Sequence, residues 1–89
     1  MGLQFFANER FEILILLKEN EIKVKEDEYV PLSQQEIADM AHFSKLKTNK
    51  ILNELIDLDY VVPYMNKRGK YTLTEKGSKL IELFKNTNL

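Results

Sequence analysis

Two helix-start signals lie close together in the middle of the sequence. The segment 33–36, Ser-Gln-Gln-Glu, has the pattern of a capping box, in which the Ser33 hydroxyl accepts from the Glu36 amide and the Glu36 side chain accepts from the Ser33 amide. It predicts a helix over about 34–41. Ser44 is a second N-cap candidate and predicts another helix over about 45–58. Two helices joined by so short a turn must pack across each other, which leaves few possible folds.

The second of these helices has an apolar face and a polar face. On a helical wheel, one side carries Thr48, Ile51, Leu52, Leu55, Ile56 and Asp59. The other side carries Leu46, Asn49, Lys50, Asn53 and Asp57, and the first turn holds Lys45 and Lys47. The apolar side is expected to pack on a core, which leaves the polar side for solvent or a partner.

The residues before the capping box predict one more helix and two irregular stretches. Residues 7–20 contain no Gly or Pro and are predicted to form a helix. Its five consecutive apolar residues, 13–17, cover every side, so it needs cover from more than one direction. Residues 18–28 are mostly charged and are predicted to be a solvated loop or a frayed helix end. Residues 29–32 are expected to be extended, because Pro31 restricts the residue before it.

The C-terminal third predicts a hairpin followed by a helix. Strands over 60–65 and 70–73 flank a turn at 66–69, where Gly69 allows positive φ. Pro63 cannot donate a backbone hydrogen bond, so its strand is expected at a sheet edge. Thr74 is predicted to cap a last helix over 75–86. The apolar side of that helix holds Leu80, Ile81 and Phe84.

This order of elements resembles the winged helix-turn-helix family over about residues 29–83. The resemblance is carried by residues 33–41, by the turn His42-Phe43-Ser44 and by residues 45–60. The run 73–77, Leu-Thr-Glu-Lys-Gly, with Leu80 and Ile81 after it, is similar to the strand-to-helix join of MarR-like and PadR-like regulators. The resemblance implies one α+β domain over 1–89, mostly α. Its helix-turn-helix would span 33–58 and its two-stranded wing 60–74, with helices at both ends.

Two positions depart from the family pattern. His42 occupies a turn position that is usually Gly or another residue tolerant of left-handed geometry, a region in which His is enriched among non-Gly residues. Asp59 stands where Gly often ends the recognition helix, although Asp tolerates the left-handed cap less well than Gly or Asn.

The resemblance implies binding to double-stranded DNA, with the helix over 45–58 in the major groove. The expected contacts from this helix are Ser44, Lys45, Leu46, Lys47, Asn49, Lys50 and Asn53. Further contacts are expected from the start of the preceding helix, at Ser33, Gln34 and Gln35, and from the wing, at Asn66, Lys67, Arg68 and Lys70. The alternatives are a solvated helix face and a solubilising hairpin tip.

Charge is distributed unevenly along the chain, although the net charge is only −1. Residues 1–43 hold four basic and nine acidic groups, whereas residues 44–89 hold nine basic and five acidic groups. The segments 44–50 and 66–70 each contain three basic residues and no acidic one. The near-zero total is therefore a cancellation, and it does not argue against nucleic acid as a partner.

Composition excludes several other function classes. The chain has no cysteine and one histidine, which argues against disulfides, thiolate or histidine metal sites and a Ser/His triad. No nucleophile–base pair or phosphate loop is recognisable, so we expect no catalytic residues, no metal, no cofactor and no enzyme activity. No apolar run is long enough to span a bilayer, and the start lacks a signal-peptide pattern. We therefore expect a cytoplasmic protein without membrane contact.

The surplus of apolar residues on the first helix, at the N-terminus and on the last helix predicts a homodimer through the first and last helices. The function expected first is a small dimeric transcriptional regulator, most simply a repressor. One alternative is a plasmid or phage DNA partition or replication adaptor. The other is a winged helix that binds protein and not DNA.

Overall fold

The first helix is the central element of the fold. The computed structural model describes residues 9–66 and 70–87, and helix α1 spans Glu9–Glu19. Ile13, Leu14 and Leu17 of α1 are fully buried, whereas Ile15 and Leu16 are half-buried. α1 packs against two helices of the middle segment, the last helix and a strand of the wing. The expectation that this helix needs cover on several sides is confirmed.

Three further helices and two antiparallel strand pairs complete the described part of the chain. The helices are α2 (Gln34–Ala41), α3 (Lys45–Asp57) and α4 (Glu75–Thr87). The strands are β1 (Ile22–Val24), β2 (Asp27–Tyr29), β3 (Val61–Pro63) and β4 (Tyr71–Leu73). One apolar core joins them, with buried side chains from every helix and from the wing strands. The predicted class, α+β and mostly α, is confirmed.

The turn between α2 and α3 is fixed by caps at both of its ends. The capping box is present, with the Ser33 hydroxyl accepting from the Glu36 amide and the Glu36 carboxylate accepting from the Ser33 amide. α2 ends at His42, which is left-handed at φ 60°, and the Phe43 amide then donates to the Ala38 carbonyl at 3.0 Å. This is a Schellman motif. The predicted capping box and the left-handed role of His42 are confirmed.

α3 begins and ends in the same manner. The Ser44 hydroxyl accepts from the Lys47 amide at 3.0 Å, as an N-cap should. At the other end Asp59 is left-handed at φ 64°, and the Tyr60 amide donates to the Leu55 carbonyl at 2.9 Å. The predicted inner face is buried at Thr48 and at the three apolar residues Ile51, Leu52 and Leu55. Asp59 is exposed, because it belongs to the cap and not to the buried face.

The charged stretch after α1 is a β-hairpin, so the prediction of a loop or frayed helix end over 18–28 is wrong. β1 and β2 pair from Ile22↔Tyr29 to Val24↔Asp27, and Lys25 adopts φ 59° in the two-residue turn. The turn lacks the Gly or Asn that signals a hairpin in a sequence. Long-range contacts hold the hairpin instead: Tyr64 donates a 2.8 Å hydrogen bond to Asp27, and the rings of Tyr29 and Tyr64 stack at 4.6 Å.

The wing strands are shorter than predicted, and a third extended segment pairs with one of them. β3 and β4 pair from Val61↔Leu73 to Pro63↔Tyr71. Val30 exchanges two backbone hydrogen bonds with Tyr71 on the other side of β4, at 2.6 and 3.0 Å, which confirms the extended piece around Pro31. β3 is thus an edge strand, as Pro63 indicated. The strand predicted over 60–65 stops at Pro63, because Tyr64–Asn66 forms a 3-10 turn with Met65 at φ 50°.

The join between the wing and α4 contacts the end of α3. Thr74 caps α4, as predicted, since its hydroxyl accepts from the Gly77 amide at 3.0 Å and also donates to the Asp59 carbonyl at 2.7 Å. Lys76 donates to the Leu58 carbonyl at 3.0 Å, and its ammonium lies 4.7 Å from the Tyr60 ring centre. A Cβ atom on Gly77 would lie 2.3 Å from the Tyr60 carbonyl oxygen. Only glycine therefore fits where α4 approaches the α3 cap.

Gly77→Ala is expected to destabilise the protein by about 2 kcal/mol, because the clash with the Tyr60 backbone exceeds the helix-propensity gain of roughly 1 kcal/mol. Urea unfolding of the variant and the wild type measures this difference. Lys79→Ala, an exposed change in the same helix, is the control and should stay within about 0.5 kcal/mol of wild type. A Gly77→Ala protein as stable as wild type would contradict the close approach.

Candidate nucleic-acid interface

The outward side of α3 carries the polar residues that the sequence indicated. Lys45, Lys50 and Asn53 are exposed, and Leu46 is 81% exposed. Asn49 is half-buried, since it faces the start of α2. The core contacts of the opposite side leave this face no freedom to rotate inward. Among the exposed large hydrophobic side chains of residues 9–66 and 70–87, Leu46 has the highest exposure.

Three amide side chains form a hydrogen-bonded row from α2 along α3. Asn49 donates to the Gln34 side-chain oxygen at 3.0 Å, and Asn53 donates to the Asn49 side-chain oxygen at 3.2 Å. The structure thereby brings residues of two predicted contact groups together. The row restricts the rotamers of all three amides before any partner binds.

The other predicted residues around the two helix starts have local partners. The hydroxyls of Ser33 and Ser44 accept the capping bonds of α2 and α3. Gln35 donates to the Asp39 carboxylate at 2.9 Å and so does not join the amide row. Ser33 and Ser44 therefore cap the helix starts, Gln35 is paired within α2, and Gln34 is the α2 residue tied to α3.

The lysines of α3 differ in their surroundings. Lys45 and Lys50 are exposed. Lys47 forms an ion pair with Glu9 of α1, and its ammonium lies 4.8 Å from the ring centre of Phe43. Next to this pair, Arg10 forms an ion pair with Glu54 at 3.0 Å. Sequence reasoning did not find Glu9 or Arg10, because partners 38 and 44 positions away give no local signal.

Part of the predicted wing cluster can be placed. Lys70 is half-buried, with its ammonium 5.1 Å from the Tyr29 ring centre. Lys67 and Arg68 lie outside the described residues, as does the side chain of Asn66. At the base of the wing, the hydrogen bond to Asp27 raises the pKa of Tyr64. Tyr29, which links hairpin and wing, gave no signal in the sequence beyond its aromatic character.

Within residues 9–66 and 70–87, no three His, Asp or Glu side chains are grouped so that they could hold a metal ion. The helices of the described part are all too short or too polar to cross a membrane.

Comparisons with known proteins agree with this architecture. The model of the winged helix-turn-helix family matches residues 31–89. The reduced, Fe(II) form of the CO-sensing protein from R. rubrum is similar in structure, with a TM-score of 0.73 and 22% identity over 89% of this chain and 38% of that chain. A transcriptional regulator of the CRP/FNR family from Thermus thermophilus has a TM-score of 0.60 and 21% identity, over 82% of this chain and 38% of its own.

This chain spans less than two fifths of the length of those two solved chains, and identities this low show the fold alone. Comparison with curated proteins gives no match. The narrower resemblance to MarR-like or PadR-like regulators stays a prediction. The family match covers more than half of the chain, and the structure supplies both the helix-turn-helix and the paired strands of the wing. The chain belongs to the winged helix-turn-helix family.

Proposed function

We propose that the chain binds double-stranded DNA in a sequence-specific manner as a small dimeric transcriptional regulator, most simply a repressor. The observation that carries this proposal is the row Gln34–Asn49–Asn53, which lies beside exposed lysines on a helix anchored by its opposite face. An α-helix fits the major groove, where base edges are distinguished by their hydrogen-bonding groups. A structural neighbour described as a transcriptional regulator supports the same interpretation.

The side chains of α3 match the chemistry of base edges. The amides of Asn49 and Asn53 each have an acceptor for the N6 amino group of adenine and a donor for its N7. Lys50 can donate to the O6 and N7 acceptors of guanine. Leu46, exposed at the first turn, suits contact with a thymine methyl group. Because the amides are already hydrogen-bonded to each other, little rotamer freedom remains for DNA binding to remove.

Contacts to phosphates are assigned to the amides at the start of α2, to Lys45 and Lys47 of α3, and to the wing residues that the sequence indicates, Lys67, Arg68 and Lys70. Such contacts fix the orientation of the protein on the duplex, whereas the α3 side chains read the sequence.

A homodimer through α1 and α4 is part of the proposal. Phe11 of α1 and Phe84 of α4 stack at 3.9 Å, so the two helices form one continuous surface. Leu83 of α4 is 54% exposed, and Phe11 also lines a groove of about 550 Å³ beside α1 together with Ile15 and Leu16. Exposed apolar groups on these two helices support self-association. A two-fold dimer would place two recognition helices about one DNA turn apart.

Capture of genomic fragments by the purified protein, followed by sequencing, tests the function directly. Enrichment of one promoter region containing an inverted repeat is expected. Enrichment of a cluster of tandem repeats would favour the partition or replication adaptor. No enrichment, together with no salt-dependent affinity for any fragment, would favour a protein-binding winged helix and reject DNA binding.

Lys50→Ala and Asn53→Ala are each expected to weaken binding to the captured site by about 1–3 kcal/mol, because each change removes a base contact. Titration of labelled DNA at fixed salt measures the loss. Lys23→Ala removes an exposed lysine from β1 and serves as the control, with affinity close to wild type. If both α3 variants bind as tightly as wild type, the assignment of α3 is wrong.

Leu83→Glu is expected to shift the protein from dimer to monomer at tens of micromolar, since it puts a charge into the proposed apolar interface. Sedimentation measures the shift. Val24→Glu, at a β1 side chain of similar exposure (47%), is the matched control and should leave the dimer intact. A wild-type protein that sediments as a monomer would refute the dimer.

A further inference from the structure

The first turn of α1 lies against one side of α3. Two adjacent residues of opposite charge, Glu9 and Arg10, pair with two α3 residues of opposite charge, Lys47 and Glu54. Together with Lys50 and Ile51, these four side chains line a small cleft between the helices. α1, which lies outside the helix-turn-helix, thus places two charged side chains beside α3.

The pairing with Glu9 changes what Lys47 offers to DNA. Lys47 is one of three lysines in the first two turns of α3, and its ammonium already has a carboxylate partner in the free protein. A phosphate that approaches this ammonium must displace that carboxylate or approach close to it. The pair is partly solvated, with 42% of the Lys47 side chain and 46% of the Glu9 side chain exposed, so it is weak enough to exchange.

We propose that Glu9 is an internal competitor for the DNA phosphate at Lys47 and thereby lowers the affinity of this protein for DNA. The inference rests on the proposed function. Glu9 acts through Lys47 and through repulsion of nearby phosphates, and it contacts no base.

Two neighbouring contacts allow Glu9 to be removed without disturbing the site. The Phe43 ring lies 4.8 Å from the Lys47 ammonium and continues to position it. Arg10 remains bonded to Glu54 at 3.0 Å, so the first turn of α1 stays against α3. Removal of the Glu9 carboxylate therefore frees a positive charge at an unchanged place.

Glu9→Gln is compared with Glu26→Gln, which makes the same change of net charge in the β1–β2 turn. Glu26 is exposed and lies outside α1, α3 and α4, so it serves as the matched control. Both variants bind a captured DNA fragment in a titration across salt concentrations. At about 0.1 M salt, Glu9→Gln is expected to bind roughly threefold to tenfold more tightly than Glu26→Gln. Its plot of log affinity against log salt should be steeper by about 0.9.

A double-mutant cycle separates competition at Lys47 from a general charge effect. Lys47→Gln should weaken binding more in the Glu9→Gln background than in wild type, because Lys47 is unpaired only in the former. If DNA binds but Glu9→Gln and Glu26→Gln behave alike, or if the cycle shows no coupling, the competitor role is overturned while DNA binding stands. If no variant shows salt-dependent DNA binding, the proposed function fails and the competitor role fails with it.

Discussion

The complete burial of one side of α1 is the constraint on which the other elements depend. Ile13, Leu14 and Leu17 have no exposed surface, and α1 contacts α2, α3, α4 and β4. Burial of three such side chains contributes roughly 1.5–3 kcal/mol each relative to their exposure, so α1 cannot shift without loss of the core. Its first turn is consequently held against α3. The charge on the proposed DNA surface is therefore decided partly by the core packing of a helix outside the helix-turn-helix.

α3 is fixed at both ends by contacts that do not depend on that core. Ser44 caps its start, and the left-handed Asp59 closes its end. α4 then reinforces the end, because Thr74 and Lys76 donate to the Asp59 and Leu58 carbonyls. The Leu58 carbonyl lies at the negative end of the α3 dipole, so a lysine there is favourable. Because of these contacts, α3 presents its polar face as part of a rigid unit formed with the wing and α4.

Local signals predicted most of the fold, and long-range contacts account for what they missed. Three of these signals depend on one residue or a few neighbouring residues: the capping box at Ser33, the cap at Ser44 and the edge position of Pro63. The structure has all three. The β1–β2 hairpin lacks a turn signal and depends on Tyr64, which is distant in sequence. The same holds for the site. A helical wheel identifies the outward side chains of α3, but the Gln34–Asn49 bond and the Glu9–Lys47 pair require the tertiary structure.

The structure also changes the meaning of the net charge of −1. The acidic N-terminal half and the basic C-terminal half do not only cancel at a distance, because Glu9 meets Lys47 directly beside the proposed DNA surface. This pair reduces the number of counterions that DNA binding would release, and so reduces the sequence-independent part of the affinity. A protein with a weak general attraction to phosphate must obtain more of its affinity from base edges. The pre-joined amides of Gln34, Asn49 and Asn53 suit that requirement, since directional hydrogen bonds discriminate between sequences and net charge does not.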